Sequence, residues 1–136
     1  MIEKPDYPQP FEDEDNAAFL AGWREGKLLL QRSREGGPAF FYPRPICPYT
    51  GSTDLIWTEA SGRGEIVSFS LITRPNHPSF NEEVPIILAE IALEEGASLL
   101  GRVITADPAA VKSRAKVETL PLPEAARYPL PTFRIA

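Results

Sequence analysis

Proline constrains this chain more than any other residue. Fifteen prolines are spread over 136 residues, at 5, 8 and 10, at 38, 43, 45 and 48, at 75, 78 and 85, at 108, and at 121, 123, 129 and 131. Each one fixes φ and removes a backbone donor, so it interrupts both helices and sheet ladders. This spacing favours short strands joined by ordered loops over long helices.

The stretch Pro43 to Thr58, PRPICPYTGSTDLIWT, is the part that reads as built to a template. The knuckle Cys47-Pro48-Tyr49-Thr50 has the offset of half a zinc site, with Thr50 where a second thiolate belongs, and Gly51 follows it. Ser33 and Gly36 in SREGG carry the same offset, with Gly37 behind them. The chain therefore reads as a zinc ribbon lacking three of its four ligands. A structural zinc needs four ligands, usually Cys or His, and this chain has one Cys and one His in total. No zinc and no other cofactor is expected. The ribbon hairpins must then be held by packing, for which Phe40, Phe41, Tyr42 and Tyr49 are the candidates. Cys47 itself reads as a small buried hydrophobe in a Pro-rich turn.

Residues 1–12 read as extended. Asp13, Asp15 or Asn16 caps a helix with an acidic first turn, and Phe19, Leu20 and Trp23 give it one apolar face. Gly26 ends it. Lys27–Arg32 and Ala39–Tyr42 are expected strands around a turn at 33–38. Beyond the knuckle come Leu55–Thr58, Gly64–Thr73, Val84–Leu93, Ala97–Thr105, Ala115–Leu120 and Leu130–Ile135. Glu94-Glu95-Gly96 suits a hairpin loop, and Asp107-Pro108 opens a loop or single helical turn. The fold class is mainly β: an N-terminal helix, ribbon-like hairpins, then a five-stranded OB-type Greek-key barrel. An SH3-like barrel and an open meander fit the same periodicity. The expected divisions are 1–26, 27–53 and 54–136.

Bulk properties narrow the functions. A single cysteine excludes an intramolecular disulfide and fits a reducing compartment. The start has no apolar core of a secretion signal, and no run approaches the roughly 20 apolar residues of a membrane span. A cytoplasmic protein without membrane contact is expected. The net charge of −5 opposes binding to a polyanion.

Several stretches together resemble a known family: FLAGWREGKLLLQR, PRPICPYTGS with Trp57 after it, SGRGEIVSFS, the hairpin IALEEGASLLGRV and the terminal PTFR. Their order over most of the chain is similar to that of the DUF35 proteins, OB-fold proteins associated with acyl-CoA enzymes and bearing an N-terminal rubredoxin-like zinc ribbon. The family's four cysteines correspond to Ser33, Gly36, Cys47 and Thr50. The family also tends to carry a glycine before its fourth barrel strand, which AAVKSRAKVETLP lacks, so barrel closure is expected to differ there. The resemblance implies a non-catalytic accessory subunit. Its partner would be a thiolase-like or MaoC-hydratase-like enzyme, and it would help to bind acyl-CoA.

Under that resemblance Arg44, Arg74 and His77 are the candidate ligand-binding residues. Arg44 matches the family's ribbon-turn arginine and could meet a CoA phosphate; bonding to backbone carbonyls of the turn is the favoured reading. Arg74 and His77 share a long loop that could bind an anion, against the plainer reading of a solvated loop. No catalytic residue is expected, because neither Cys47 nor His77 has an activating partner at a diagnostic spacing; Ser79 is only a loop neighbour. Gly62-Arg63-Gly64 reads as a bend rather than a phosphate loop. Glu94 and Glu95 form no catalytic pair, Trp57 is expected in the core, and Arg134 is expected to pair with an acidic neighbour. Two other functions compete: a single-stranded nucleic-acid-binding barrel with a stacking surface on Ser68–Ile72, and a small thioesterase.

Overall fold

The structure is a computed structural model that describes residues 7–136. The first six residues of the stretch expected to be extended lie outside the described residues. From Tyr7 the chain lies on the barrel, and Tyr7 is buried. Helix α1 is Ala17–Arg24. The Asp13 carboxylate accepts the N–H groups of Asp15 and Asn16, each at 2.9 Å, and Asn16 Oδ1 accepts from the Asp13 N–H. The acidic residues thus form a turn ahead of the helix, and its first turn contains none. Gly26 takes φ 80°, and Lys27 N–H reaches back to the Gly22 carbonyl at 2.9 Å, so the left-handed glycine closes the helix.

Strands β1 (Leu29–Ser33) and β2 (Leu55–Glu59) form a two-stranded antiparallel sheet from Leu29↔Glu59 to Ser33↔Leu55. This corrects two expectations. Residues 39–42 do not form a strand; only Phe40 bridges Gln31, because Pro38 and Pro43 flank the stretch and supply no donors. The partner of β1 is instead β2, so the strand placed at the start of the barrel belongs to the ribbon, and the barrel begins at Arg63.

The barrel comprises β3 (Arg63–Ile72), β4 (Ile86–Leu93), β5 (Ser98–Ile104), β6 (Lys116–Thr119) and β7 (Thr132–Ile135). It closes in the order β3-β4-β5-β7-β6, with β6 returning to β3. All neighbours are antiparallel except β5 and β7, which are parallel. This is the OB arrangement, and it removes the meander and SH3-like alternatives. A bulge at Val67 lets β3 bend, so that its first three residues pair with β6 and Gly64 to Ile72 run along β4.

The barrel closes without the missing glycine. Arg114 occupies the left-handed region at φ 72°, and its N–H donates to the Ile66 carbonyl at 2.7 Å. An exposed arginine takes the conformation that a glycine would adopt freely. Inside, Gly101 on β5 leaves room for a ring: a Cβ there would lie 2.7 Å from Phe133 Cε1.

One core serves ribbon and barrel together. Phe19, Leu20, Leu28 and Leu30 pack in the same cluster as Ile66, Ile87, Ile91, Val103 and Phe133, with Trp57 half-buried against it. Trp23 joins α1 to a second cluster with Leu120 and Ala125, and its indole N–H donates to the Tyr128 carbonyl at 2.9 Å. The aromatic face of the helix is therefore core. Among the described residues no helix is long and apolar enough to cross a membrane.

Candidate functional site

Of the four ribbon positions, Ser33, Cys47 and Thr50 lie together, and Gly36 sits in the turn after Ser33. The Cys47 side chain is buried, and the thiol bonds to the Thr50 hydroxyl and to backbone groups of Tyr49, Thr50 and Ser33. Burial acts to raise its pKa, but those hydrogen bonds outweigh it and hold the thiol below its ordinary value. Gly51 N–H closes the knuckle onto the Cys47 carbonyl at 2.9 Å, and Gly36 N–H closes the opposite one onto Ser33 at 3.0 Å. One thiol, two hydroxyls and a glycine without a side chain do not fit a zinc cage. Among the described residues no group of three or more His, Cys, Asp or Glu side chains could hold a metal ion.

The aromatic packing expected at the ribbon is found only in part. Phe40 is buried, and Phe41 meets Phe19 edge-on at 5.1 Å, but Tyr42 and Tyr49 are exposed. The tie that the sequence did not reveal is Gln31. Its buried amide accepts from the Arg44 N–H at 2.8 Å and donates to the Arg44 carbonyl at 3.1 Å, bracing the Pro-rich turn against β1. The Arg44 guanidinium is exposed, donates to the Tyr42 carbonyl at 3.3 Å and lies over Phe40.

A groove of about 530 Å³ lies elsewhere, on the outer face of β3, β4 and β5. Its walls are the β3–β4 loop and the β6–β7 loop, the same loops that frame the ligand face of OB barrels. Strand pleating fixes the floor: β4 turns Ile87, Ala89 and Ile91 inward, which leaves Ile86 and Leu88 on the outside, and β5 likewise presents Leu100 and Arg102. Leu88, Leu100 and Leu130 are exposed, Leu100 at 62%.

One end of the groove is a polar node assembled from four segments. Glu83 accepts from the Tyr7 hydroxyl at 2.6 and 2.8 Å and from Arg102 Nη2 at 2.9 Å. Tyr7 stacks between Phe80 and Tyr128, at 5.2 and 5.8 Å, and the Arg102 guanidinium lies within 6.0 Å of all three rings. Burial, followed by the bond to Glu83, pushes the Tyr7 phenol above its ordinary pKa. The Nε atoms of Arg102 and Arg127 are buried without a hydrogen-bond partner among the described residues. Arg74 and Arg102 line the groove, and Arg127 lies by Tyr7 and Tyr128 at the node.

Of the three candidate ligand residues, Arg74 lines this groove, whereas Arg44 sits on the ribbon. His77 caps the single 3-10 turn Pro78–Phe80: its Nδ1 accepts from the Ser79 N–H at 3.2 Å and lies 2.7 Å from Ser79 Oγ. The remaining expectations resolve simply. Glu94 pairs with Arg63 at 3.0 Å, Glu95 accepts the Ser61 N–H, and Arg134 pairs with Glu118 at 2.9 Å. Gly62 takes φ 82° at the bend into β3. Sequence reasoning missed Tyr7, Glu83, Arg102 and Tyr128; prolines flank Tyr7, Glu83 and Tyr128, while Arg102 lies within β5 with no local signal.

A family model described as "ChsH2, C-terminal OB-fold domain" matches residues 57–119. A "DUF35 domain-containing scaffold protein" of Pyrococcus furiosus is 33% identical over 97 residues, covering 71% of this chain and 70% of that protein. The chain belongs to the DUF35 family. A "probable enoyl-CoA hydratase alpha subunit" of Thermomonospora curvata is 30% identical over 95% of this chain, which spans 40% of that protein's length. Among solved structures, a chain of the "Ltp2-ChsH2(DUF35) aldolase" superposes with a TM-score of 0.81 at 29% identity, covering 93% of this chain and 98% of its own. The DUF35 fold is therefore kept over 93% of the chain.

Proposed function

We propose that this DUF35 chain is a non-catalytic accessory subunit that associates with a thiolase-like or hydratase-like enzyme and helps to bind its acyl-CoA. The observation that carries this reading is the end-to-end likeness, over 98% of its length, to the DUF35 chain of a named aldolase assembly. The names of its relatives, a scaffold protein and a hydratase alpha subunit, support the same direction. The site chemistry agrees with a binding role. Cys47 is buried among hydroxyl and backbone partners with no base beside it, and His77 spends Nδ1 on its own turn.

Neither competing function finds comparable support. The β3 residues paired with the outward side of β4 are Ser68, Ser70 and Ile72, and the groove aromatics stack on one another rather than opening to a base. The direct test is mild affinity purification of tagged protein from its native host, with mass spectrometry of what co-elutes. A thiolase-like or hydratase-like enzyme at near-stoichiometric yield is expected. A solitary protein with no affinity for CoA thioesters would overturn the reading, as would thioester hydrolysis that disappears in Cys47→Ala or His77→Ala.

A further inference from the structure

Strand β3 outruns its neighbour on one side. Its start pairs with β6, and Ile66 still exchanges backbone bonds with Arg114 and Ala115. Beyond that point no backbone bond among the described residues reaches Val67–Ile72 on the side away from β4; the Val67 carbonyl accepts the Ser113 hydroxyl at 3.2 Å. Val67–Ile72 is therefore a free sheet edge in an otherwise closed barrel. The bulge at Val67 also resets which side chains face inward. Phe69 pairs with Ala89 and Leu71 with Ile87, both turned to the core, so Phe69 and Leu71 lie on the face of β3 opposite the groove. Inward-facing apolar residues are ordinarily covered, yet Val67, Phe69 and Leu71 are 46%, 41% and 50% exposed. Natural edges are guarded by charged residues, by proline or by a covering element. Ile66 to Thr73 reads IVSFSLIT, with no charge and no proline.

Symmetry and charge identify what the edge accepts. A two-fold axis perpendicular to a sheet sets two antiparallel strands side by side, with opposed residues on the same face. Centred on Phe69, such an axis places Phe69 against its own copy, Val67 against Leu71 and Ser68 against Ser70. One face of the junction is then wholly apolar and the other wholly serine, and apolar cross-strand pairs of this kind stabilise sheets. Each copy carries −5, so two copies approach closely only where no charge stands. The strands β4, β5, β6 and β7 each carry charged residues, whereas Val67–Ile72 carries none. A nucleic-acid strand would need cations along the same edge. We propose that Val67–Ile72 is a homodimerisation edge, on which β3 of a second copy adds in antiparallel register about Phe69 and joins the two barrels into one continuous sheet. This goes beyond the accessory-subunit reading and does not rest on it, since the groove lies on the other face of β3 and takes no part.

The test is sedimentation equilibrium of the full chain over a wide concentration range. The expected result is a reversible monomer–dimer equilibrium whose mass levels off at twice that of the chain. Substitutions at Val67, Phe69 and Leu71 alter exposed side chains and leave the fold intact, which circular dichroism checks. Phe69→Lys sets like charges face to face at the axis and is expected to weaken dimerisation about a hundredfold. Val67→Lys and Leu71→Glu are each expected to weaken it about tenfold. The double variant carrying both is expected to recover to within about threefold of wild type, because the register sets the two new charges against each other at both ends of the junction. That recovery is specific to the register, and a double variant weaker than either single one overturns the proposal. A wild-type protein that stays monomeric up to its solubility limit overturns it, and so does a dimer that survives Phe69→Lys, since another surface then holds the copies. If the wild type is monomeric and Phe69→Lys loses a co-purifying enzyme, the edge takes a strand of that enzyme and self-pairing is again overturned. A dimer that is broken by Phe69→Lys but recruits no enzyme sustains the edge and removes the accessory reading.

Discussion

The ribbon knuckles and the barrel groove are both polar clusters on a hydrophobic frame, but their partners come from different distances along the chain. At the ribbon, Cys47, Thr50 and Ser52 answer one another within a single turn, and Gln31 braces Arg44 across thirteen residues. At the groove, Tyr7 and Glu83 meet across a separation of 76 residues, and Arg102 and Tyr128 arrive from two further elements. The ribbon therefore keeps its shape without a cage of Cys and His side chains, because its turns are satisfied locally and its apolar side packs into the barrel core. The node has no local substitute: removing Glu83 takes the acceptor from both Tyr7 and Arg102.

That contrast can be broken most severely at the joint between the two regions. Trp23→Ala removes a side chain that is 1% exposed, together with the indole bond to Tyr128, and is expected to cost about 3–5 kcal/mol in chemical denaturation. A loss below about 1 kcal/mol would mean that ribbon and barrel are stabilised separately. Next comes Glu83→Ala, which strands the Arg102 guanidinium, whose side chain is 14% exposed, and is expected to cost about 3 kcal/mol. An equal cost for Arg34→Ala would contradict the contrast, since the Arg34–Asp54 pair on the ribbon is mostly solvent-exposed and of the kind worth about 0–1 kcal/mol.

Tyr7 sharpens the comparison through pH. Its phenol is raised above the ordinary value of 10.0, by burial first and by Glu83 second. The folded state thus favours the protonated form. Its stabilising contribution is complete below pH 10 and is lost as pH rises through the folded value. Tyr7→Phe is expected to lower stability by about 1 kcal/mol at neutral pH and to flatten the alkaline decline of Tm; a parallel decline in both proteins would place the alkaline sensitivity elsewhere. Arg114→Gly is the gentlest change and the one with the opposite sign. Relieving the φ of 72° at an exposed arginine is expected to stabilise the barrel by at most about 1 kcal/mol, read from the denaturation midpoint. At the ribbon, prolonged EDTA treatment is expected to leave Tm unchanged; a fall of several degrees would reveal a metal bound by a set of ligands other than the four knuckle positions.

Local chemistry made much of the fold legible. Gly26 ended α1, Glu94-Glu95-Gly96 turned β4 into β5, and the paired knuckles placed Ser33 beside Cys47, because each feature is specified by residues a few positions apart. The alternating strands of the barrel were likewise readable from side-chain period. Expectation failed where pairing choice was non-local. Residues 39–42 have the composition of a strand, but the backbone of β1 found its longer partner at 55–59. Barrel closure was expected to differ for want of a glycine, yet the ladder energy of β3 with β6 holds Arg114 in a left-handed conformation that local propensity disfavours.

The sequence by itself determined the mainly β character, the helix and its buried face, the knuckle turns and the shortage of zinc ligands, since all of these follow from residue identity and short spacing. Only the tertiary structure decided that Leu88 and Leu100 share an open groove, that Tyr7, Glu83, Arg102 and Tyr128 close its end, and that Arg74 rather than Arg44 stands at its rim. Those residues lie in separate segments, and nothing in the period of any one strand records which of its outward positions another loop will cover. The closure of the barrel creates that information, by setting the register between β3, β4 and β5 and bringing the two proline-rich loops to the same edge.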